Sequence, residues 1–322
     1  MDLEMLQTRA AVIRQIRSFF DERKYLELDT PLLSRDLIPE SCLEVFRTER
    51  VYPRASDKES LPLWLIPSPE IYMKKIIARH RVNVYQICKC FRNGESSGRL
   101  HSSEFTMLEY YTMNAGYTDS LALTEELFAR LAEAARLPPL SPPFERVTVA
   151  EAFERYAGFD LFAAAEKEGA MEEQARRLGL DPPLGMSTGG LYDLIFIHAV
   201  EPRLKSQKPA ALLDYPAFVP CLAEQSPDGR TVRRWELYFN GIELANCFSE
   251  ETDPQKVKAF FINEQKARER ACLSRHNVDH DYWKMFESFP RCSGVAMGID
   301  RLVMALTGRS SIDAVLPAEM YA

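Results

Sequence analysis

The chain has 322 residues, 46% hydrophobic and 27% charged, with a formal net charge of −7. That is the composition of a folded globular protein, and the acidity disfavours broad electrostatic binding to nucleic acid. No stretch reaches the apolar length of a membrane span. Seven cysteines, an odd number with no Cys-x-x-Cys pair, sit in a chain that opens Met1-Asp2-Leu3-Glu4-Met5 without a basic or apolar leader. Reduced thiols, a cytoplasmic location and no membrane association are therefore expected.

In chain order, Leu6, Ala10, Ile13, Ile16, Phe19 and Phe20 recur at helical spacing and predict a helix from Leu3 to Arg23. Tyr25–Asp29 alternates as a strand does and halts at Pro31, and Leu61–Ile66 reads as a short strand. Ser68-Pro69-Glu70 opens an amphipathic helix. Val82–Phe91 and Phe105–Tyr111 read as buried strands joined by a long polar loop, with Cys88 and Cys90 on one face as core filler. Asp119–Leu137 is helical, Pro138–Pro143 is a rigid break, and Val147–Pro209 is mostly helical. Strands return over Ala211–Phe218 and Arg234–Phe248. These elements predict an α+β fold, an antiparallel sheet flanked by helices, with a mostly helical insertion over about 112–210.

Four groups of residues carry candidate chemistry. In the run Gly294-Val295-Ala296-Met297-Gly298-Ile299-Asp300-Arg301, alternation places Gly294, Ala296 and Gly298 on one nearly bare strand face. Asp300 is then expected to cap a helix that starts at Arg301 and stops near Gly308. Taken alone, the run fits a strand softened for close backbone approach at least as well as a ligand platform. Asn240-Gly241 signals a two-residue hairpin turn, which sets Tyr238 opposite Glu243 and Glu236 diagonal to it. Diagonal neighbours lie roughly 7–8 Å apart, so the two carboxylates either share a divalent cation, Mg²⁺ by their oxygen-only chemistry, or face water. The loop after Phe91 holds Arg92, Glu95, Arg99, His101 and Glu104, and a charge at the exit of a buried strand, as at Arg92, needs a partner. Glu70, Glu109 and Glu250 form the last group: Glu109 shares a strand face with Tyr111 and is either an internal ion-pair partner or a receptor for a ligand ammonium.

These segments, in this order, resemble the catalytic core of class II aminoacyl-tRNA synthetases of the lysyl type. Tyr25–Pro31 looks like motif 1, the dimer-forming segment; Phe91-Arg92-Asn93 through His101 and Glu104–Glu109 looks like motif 2; Gly294–Arg301 looks like motif 3. Ser68-Pro69-Glu70, Gly241–Asn246 and Phe248-Ser249-Glu250 match the lysyl pocket segments. Motif 1 begins too near Met1 for an N-terminal anticodon-binding barrel, so a single catalytic domain over 1–322 is expected. A free-standing lysyl-like core is similar to the elongation factor P (R)-β-lysine ligase family, as is Ala296 where lysyl-tRNA synthetases carry Gly.

The resemblance implies ATP and Mg²⁺, adenylation of (R)-β-lysine or lysine, and transfer to a lysine side chain of elongation factor P by a homodimer, with tRNA not expected as a partner. It implies that Arg92 and Arg301 hold the α- and γ-phosphate regions of ATP, that His101 lies near the terminal phosphates, that Phe105 stacks on adenine, and that Glu95 meets its edge. Asn93 and Gly298 join the ATP site, and Glu236 and Glu243 hold Mg²⁺. Glu70 takes the amino group at the reacting end, Asn246 the carboxylate, and Glu109, Tyr111 and Glu250 the distal ammonium, with Phe248 and Ala296 also lining the substrate site. Gly94 departs from the lysyl pattern, which has Glu there, and Cys247 replaces a Gly and would narrow the pocket if it faced inward. A tRNA-charging lysyl-type ligase without an anticodon domain, a small-molecule amidating ligase and a non-catalytic paralogue remain alternatives.

Overall fold

The computed structural model describes residues 3–52, 60–94, 98–135, 142–204, 208–271 and 273–317. Glu95 and most of the expected break at Pro138–Pro143 lie outside the described residues.

Helix α1 (Leu3–Glu22) is followed by short strands β1 (Leu26–Glu27), β2 (Leu33–Ser34), β3 (Arg47–Val51) and β4 (Ser60–Leu65), then helix α2 (Glu70–His80). Strands β5 (Val84–Phe91) and β6 (Glu104–Met113) lead to helix α3 (Tyr117–Ala135) and strand β7 (Glu145–Thr148). Helices α4 (Val149–Tyr156), α5 (Leu161–Glu166), α6 (Ala170–Arg177) and α7 (Thr188–Ile195) come next. Strands β8 (Ala210–Pro216), β9 (Thr231–Phe239) and β10 (Ile242–Ser249), helix α8 (Pro254–Arg270), strand β11 (Cys292–Gly298) and helix α9 (Ile299–Thr307) complete the order. The sequence pattern misses α8 because its buried stripe is Val257, Phe261, Glu264 and Arg268, half of it charged.

One eight-stranded sheet runs in the order β1-β5-β6-β11-β10-β9-β8-β7, and a smaller one in the order β2-β4-β3. The middle of the large sheet is antiparallel, as expected. Its two outer pairs, β1 with β5 and β7 with β8, are parallel. Each of these pairs is bridged by a long helical connection, through α2 and through α4–α7, and only such a crossover returns the chain in the same direction.

Alternation then sorts the side chains. On β11, Val295 and Met297 join Leu108, Tyr110, Trp235, Leu237 and Cys247 in an apolar cluster. Phe19 and Phe20 of α1, Leu127 and Leu131 of α3, and Leu302 and Leu306 of α9 close it. Each such side chain contributes about 1.5–3 kcal/mol on burial, and a one-residue slip would turn the whole set outward. The register of the opposite face is fixed by the same packing. The inserted helices pack Phe153, Tyr192 and Ile195 against Leu212 and Tyr215 of β8.

Asp300 does not cap α9 as expected. The helix begins at Ile299 with Gly298 at its N-cap, so Asp300 lies inside the first turn. Its carboxylate, 1% exposed, accepts from the Thr106 amide at 2.7 Å and pairs with Arg9 of α1 at 2.6 Å. Motif-3-like helix, β6 and the first helix of the chain are thus bolted through one buried ion pair.

Candidate active site

The sheet face turned away from α1, α3 and α9 borders a cavity of about 410 Å³. Phe105, Glu236, Glu243, Asn246, Phe248, Ala296 and Gly298 from the strands line it, together with Glu70, Arg92, His101 and Arg301. In register, Ala296 lies opposite Glu109 on one side and Asn246 on the other, and Gly294 lies between Tyr111 and Phe248.

The bare face expected of Gly294, Ala296 and Gly298 divides into two parts. A Cβ at Gly294 would stand 2.5 Å from Glu250 Oε1 and 2.5 Å from Tyr111 Cε1, so this glycine makes room for side chains that cross the strand. At Gly298 the nearest such atom is Arg301 Cβ at 3.8 Å, and the floor is open.

At one end the groups suit phosphate. Arg92 leaves β5 with its Nε buried and without a hydrogen-bond partner among the described residues, its guanidinium 5.2 Å from the centre of the Phe105 ring. Arg301 Nη1 donates to Glu243 O at 2.9 Å and lies 3.5 Å from Glu243 Oε2, while Nε donates to Leu100 O at 3.3 Å. His101 lines the same end. Asn93, by contrast, is exposed and outside the lining; its Oδ1 accepts from the Gly94 amide at 2.9 Å. Gly94 adopts a left-handed φ of 68°, a backbone state that suits Gly and not the Glu of the lysyl pattern.

The Asn240-Gly241 turn forms, with φ of 52° and 73°, and pairs Tyr238 with Glu243. A bulge between Glu243 and Ala245 then shifts the register, so Glu236 faces Asn246 instead of the position a regular hairpin would set. Nor is Glu236 unpaired, as the sequence pattern suggested. Arg234, two residues away on the same face, binds it, and the Tyr215 and Tyr238 hydroxyls donate to it at 2.6 Å each. Burial first, then the charge of Glu236, raises the Glu243 carboxyl above its ordinary range. A divalent cation with oxygen ligands, shared with phosphates, relieves both effects, so this pair fits Mg²⁺.

Glu109, Tyr111 and Glu250, expected in the substrate site, are buried and fall outside the cavity lining, while Glu70 is part of it. Glu109 is 3% exposed; Tyr111 donates to its Oε1 at 2.7 Å, and its Oε2 is buried with no hydrogen-bond partner among the described residues. Glu250 lies 2.6 Å from Lys74, which also meets Glu70 at 2.5 Å. Lys74 is fully buried and absent from the sequence reading; the four-residue step from Glu70 on one helix was its only signal. Burial, reinforced by the charge of Glu70, pushes the Glu109 carboxyl well above the usual carboxylate range. Burial pushes Glu250 up to about 7 although Lys74 pulls the other way. Against its own burial, Lys74 is held well above the ordinary lysine range by Glu250 and Glu70. Two carboxylates, Glu70 and Glu250, meet one internal ammonium here, and Glu109 Oε2 has no hydrogen-bond partner among the described residues. Cys247 does not narrow the cavity: it is 1% exposed and turned into the core behind the sheet.

Sequence reasoning also missed the remaining wall, built from Glu40, Cys42 and Leu43 of the β2–β3 loop and Glu264 of α8. These residues are far apart in the chain and show no shared pattern.

Comparison with known proteins agrees with this architecture. Residues 2–318 match the family described as tRNA synthetases class II (D, K and N). The chain is 37% identical over 320 residues to the elongation factor P–(R)-beta-lysine ligase of Vibrio atlanticus, which covers 97% of this chain and 94% of that one. It is 35% identical over 316 residues to the ligase of that name from Avibacterium paragallinarum, covering 98% and 94%. For the one from Vibrio cholerae the identity is 37% over 319 residues, covering 97% and 94%. The chain therefore belongs to the class II tRNA synthetase family (D, K and N), in the group of the elongation factor P–(R)-beta-lysine ligases.

Proposed function

We propose that this chain is an ATP-dependent ligase that activates (R)-β-lysine as its adenylate and transfers the aminoacyl group to a lysine side chain of elongation factor P. The observation that carries this reading is a cavity lined by Arg92, Arg301 and the Glu236–Glu243 pair, with Glu70, Asn246 and Ala296 also in its wall and the buried, half-satisfied carboxylate of Glu109 on the strand beside Ala296. A nucleoside triphosphate matches the first group and a diamino acid the second. Ala296, between Glu109 and Asn246, is placed to tell where along the substrate the second amine lies.

In the activation step an ionised carboxylate is already the nucleophile, so no base is needed. Catalysis rests on in-line positioning and charge neutralisation. Arg92 would hold the α-phosphate and Arg301 the γ-phosphate, with His101 near the terminal phosphates and adenine on Phe105. Glu236 and Glu243 would hold Mg²⁺, which when bound neutralises charge on the phosphoryl oxygens. Glu70 would take the amine of the reacting end, Asn246 the carboxylate, and Glu109, Tyr111 and Glu250 the distal ammonium, with Phe248 against the aliphatic chain. A desolvated ammonium needs such close charged hydrogen bonds.

The net charge of −7 supports a protein acceptor over tRNA. Leu26 of β1 and Val82, just before its partner strand β5, are 53% and 39% exposed at that edge of the large sheet, which supports a homodimer formed there. The six described cysteines are free, in keeping with work in the cytoplasm, and no described helix is long and apolar enough to cross a membrane. Incubation with ATP, radiolabelled (R)-β-lysine and either elongation factor P or tRNA tests the reading. Label is expected on elongation factor P; label on tRNA, or on neither while pyrophosphate exchange proceeds, refutes it. Exchange that vanishes in Arg301→Ala would exclude a non-catalytic paralogue.

A further inference from the structure

The transfer step needs something that activation does not. The incoming lysine side chain arrives as an ammonium and must lose a proton before its nitrogen attacks. Glu40, in the β2–β3 loop, lines the cavity, and its carboxylate makes no hydrogen bond or ion pair among the described residues. The loop that carries it is held firmly. Arg268 Nη1, on a residue 5% exposed, donates to Glu40 O at 2.7 Å and also to Leu43 O, and Glu264 Oε2 accepts from the Ser41 amide at 2.7 Å. The backbone on both sides of Glu40 is therefore fixed while its side chain stays free in the cavity. The charged groups that face it are Glu70 and Lys74 from α2, Arg92 from the end of β5, and Glu264 and Arg268 from α8, with the Cys42 thiol beside it on the loop. Glu70 and Arg92 are the residues assigned above to the two sides of the reacting carboxyl, its amine and its α-phosphate.

We propose that Glu40 is the catalytic base of the transfer step, receiving the acceptor lysine's ε-ammonium and taking its proton. This inference rests on the ligase reading given above. The freed amine nitrogen forms the C–N bond to the adenylate carbonyl, and the C–O bond to phosphate breaks with its electron pair on AMP. The second proton leaves with the AMP phosphate, and the proton on Glu40 passes to water at the cavity mouth. An ordinary glutamate lies about six pH units below a lysine amine, a poor match for this exchange. Burial, then the charges of Glu70 and Glu264 against the opposing pull of Arg92 and Lys74, pushes the Glu40 carboxyl up to about 7. That removes nearly half the gap, and desolvation of the incoming ammonium narrows it further.

The test separates the two steps. Enzyme-bound adenylate is isolated, elongation factor P is added, and single-turnover transfer is followed between about pH 6 and 9, with ATP–pyrophosphate exchange measured alongside. Wild-type transfer is expected to rise with pH through a limb near 7, because the base must be ionised. Glu40→Gln is expected to lower transfer by about 100-fold, to lose that limb, and to lower exchange far less; Glu40→Asp is expected to recover part of the transfer rate. Equal losses in both steps, or a rise in KM for the diamino acid that accounts for the defect, would place Glu40 on the substrate and overturn the proposal. A limb that persists in Glu40→Gln, or is absent from wild type, overturns it too, and the wild-type profile decides even if the Gln variant fails to fold. If wild-type enzyme exchanges pyrophosphate but never labels elongation factor P, the ligase reading fails instead.

Discussion

One methyl group at Gly294 tests whether the small residues of β11 play different parts. In Gly294→Ala the new Cβ would lie 2.5 Å from both Glu250 Oε1 and Tyr111 Cε1. Neither neighbour yields freely. Tyr111 is 2% exposed and hydrogen-bonded to Glu109, and Glu250 is 4% exposed and 2.6 Å from Lys74. Overpacking of this kind costs about 1–3 kcal/mol. In a chain of this size each kcal/mol lowers Tm by roughly 2 °C, so a fall of roughly 2–6 °C is expected. The displaced groups are also the ones assigned to the distal ammonium, so KM for (R)-β-lysine should rise. Gly298→Ala is the control. Its nearest contact is 3.8 Å away and its φ of −75° suits alanine, so Tm should hold within about 1 °C. The methyl then occupies open floor and should raise KM for ATP instead. Calorimetry and pyrophosphate exchange read both variants. Equal melting of the two, or a Gly294→Ala enzyme with unchanged Tm and KM, would refute the division of the strand into a packed and an open half.

Ala296→Gly removes a methyl beside the substrate site, and one such group is worth about 10–200-fold in discrimination. Exchange with α-lysine should gain on exchange with (R)-β-lysine by a factor in that range, and an unchanged ratio sinks the assignment. Arg9→Met leaves the 1%-exposed Asp300 without its cation and should cost about 3–5 kcal/mol in urea unfolding; a loss under about 1 kcal/mol would show the pair to be dispensable. The raised Glu109 carboxyl, driven up by burial and by Glu70, must ionise to hold an ammonium. The ionised fraction grows with pH, so diamino-acid binding should tighten as pH rises and release protons. Titration calorimetry in two buffers of different ionisation enthalpy measures that release, and identical heats would contradict it.

Local physics explains how much of this protein could be read from its sequence. Alternation along β11, the Asn240-Gly241 turn and the Ile16, Phe19 and Phe20 part of the α1 stripe are set by neighbours a few residues apart and hold in the structure, whereas the first turns of α1 bury Met5, Arg9 and Val12 and leave Leu6 and Ala10 exposed. The same locality carried the motif order, which brought eleven of the expected site residues, from Glu70 to Arg301, to one cavity lining. What escaped depends on segments that meet only after folding. A bulge moved Glu236 opposite Asn246, and Arg234 neutralised an acid that looked unpaired. Lys74 answers Glu250 from another element, Arg9 answers Asp300 from the far end of the chain, and Glu250 with Tyr111 fills the space above Gly294. Glu40 and Glu264 share a wall because a loop and a helix over two hundred residues apart are packed together. Periodicity reports which face a residue turns to; the partner waiting on that face is a matter of long-range packing and charge, and no local pattern encodes it.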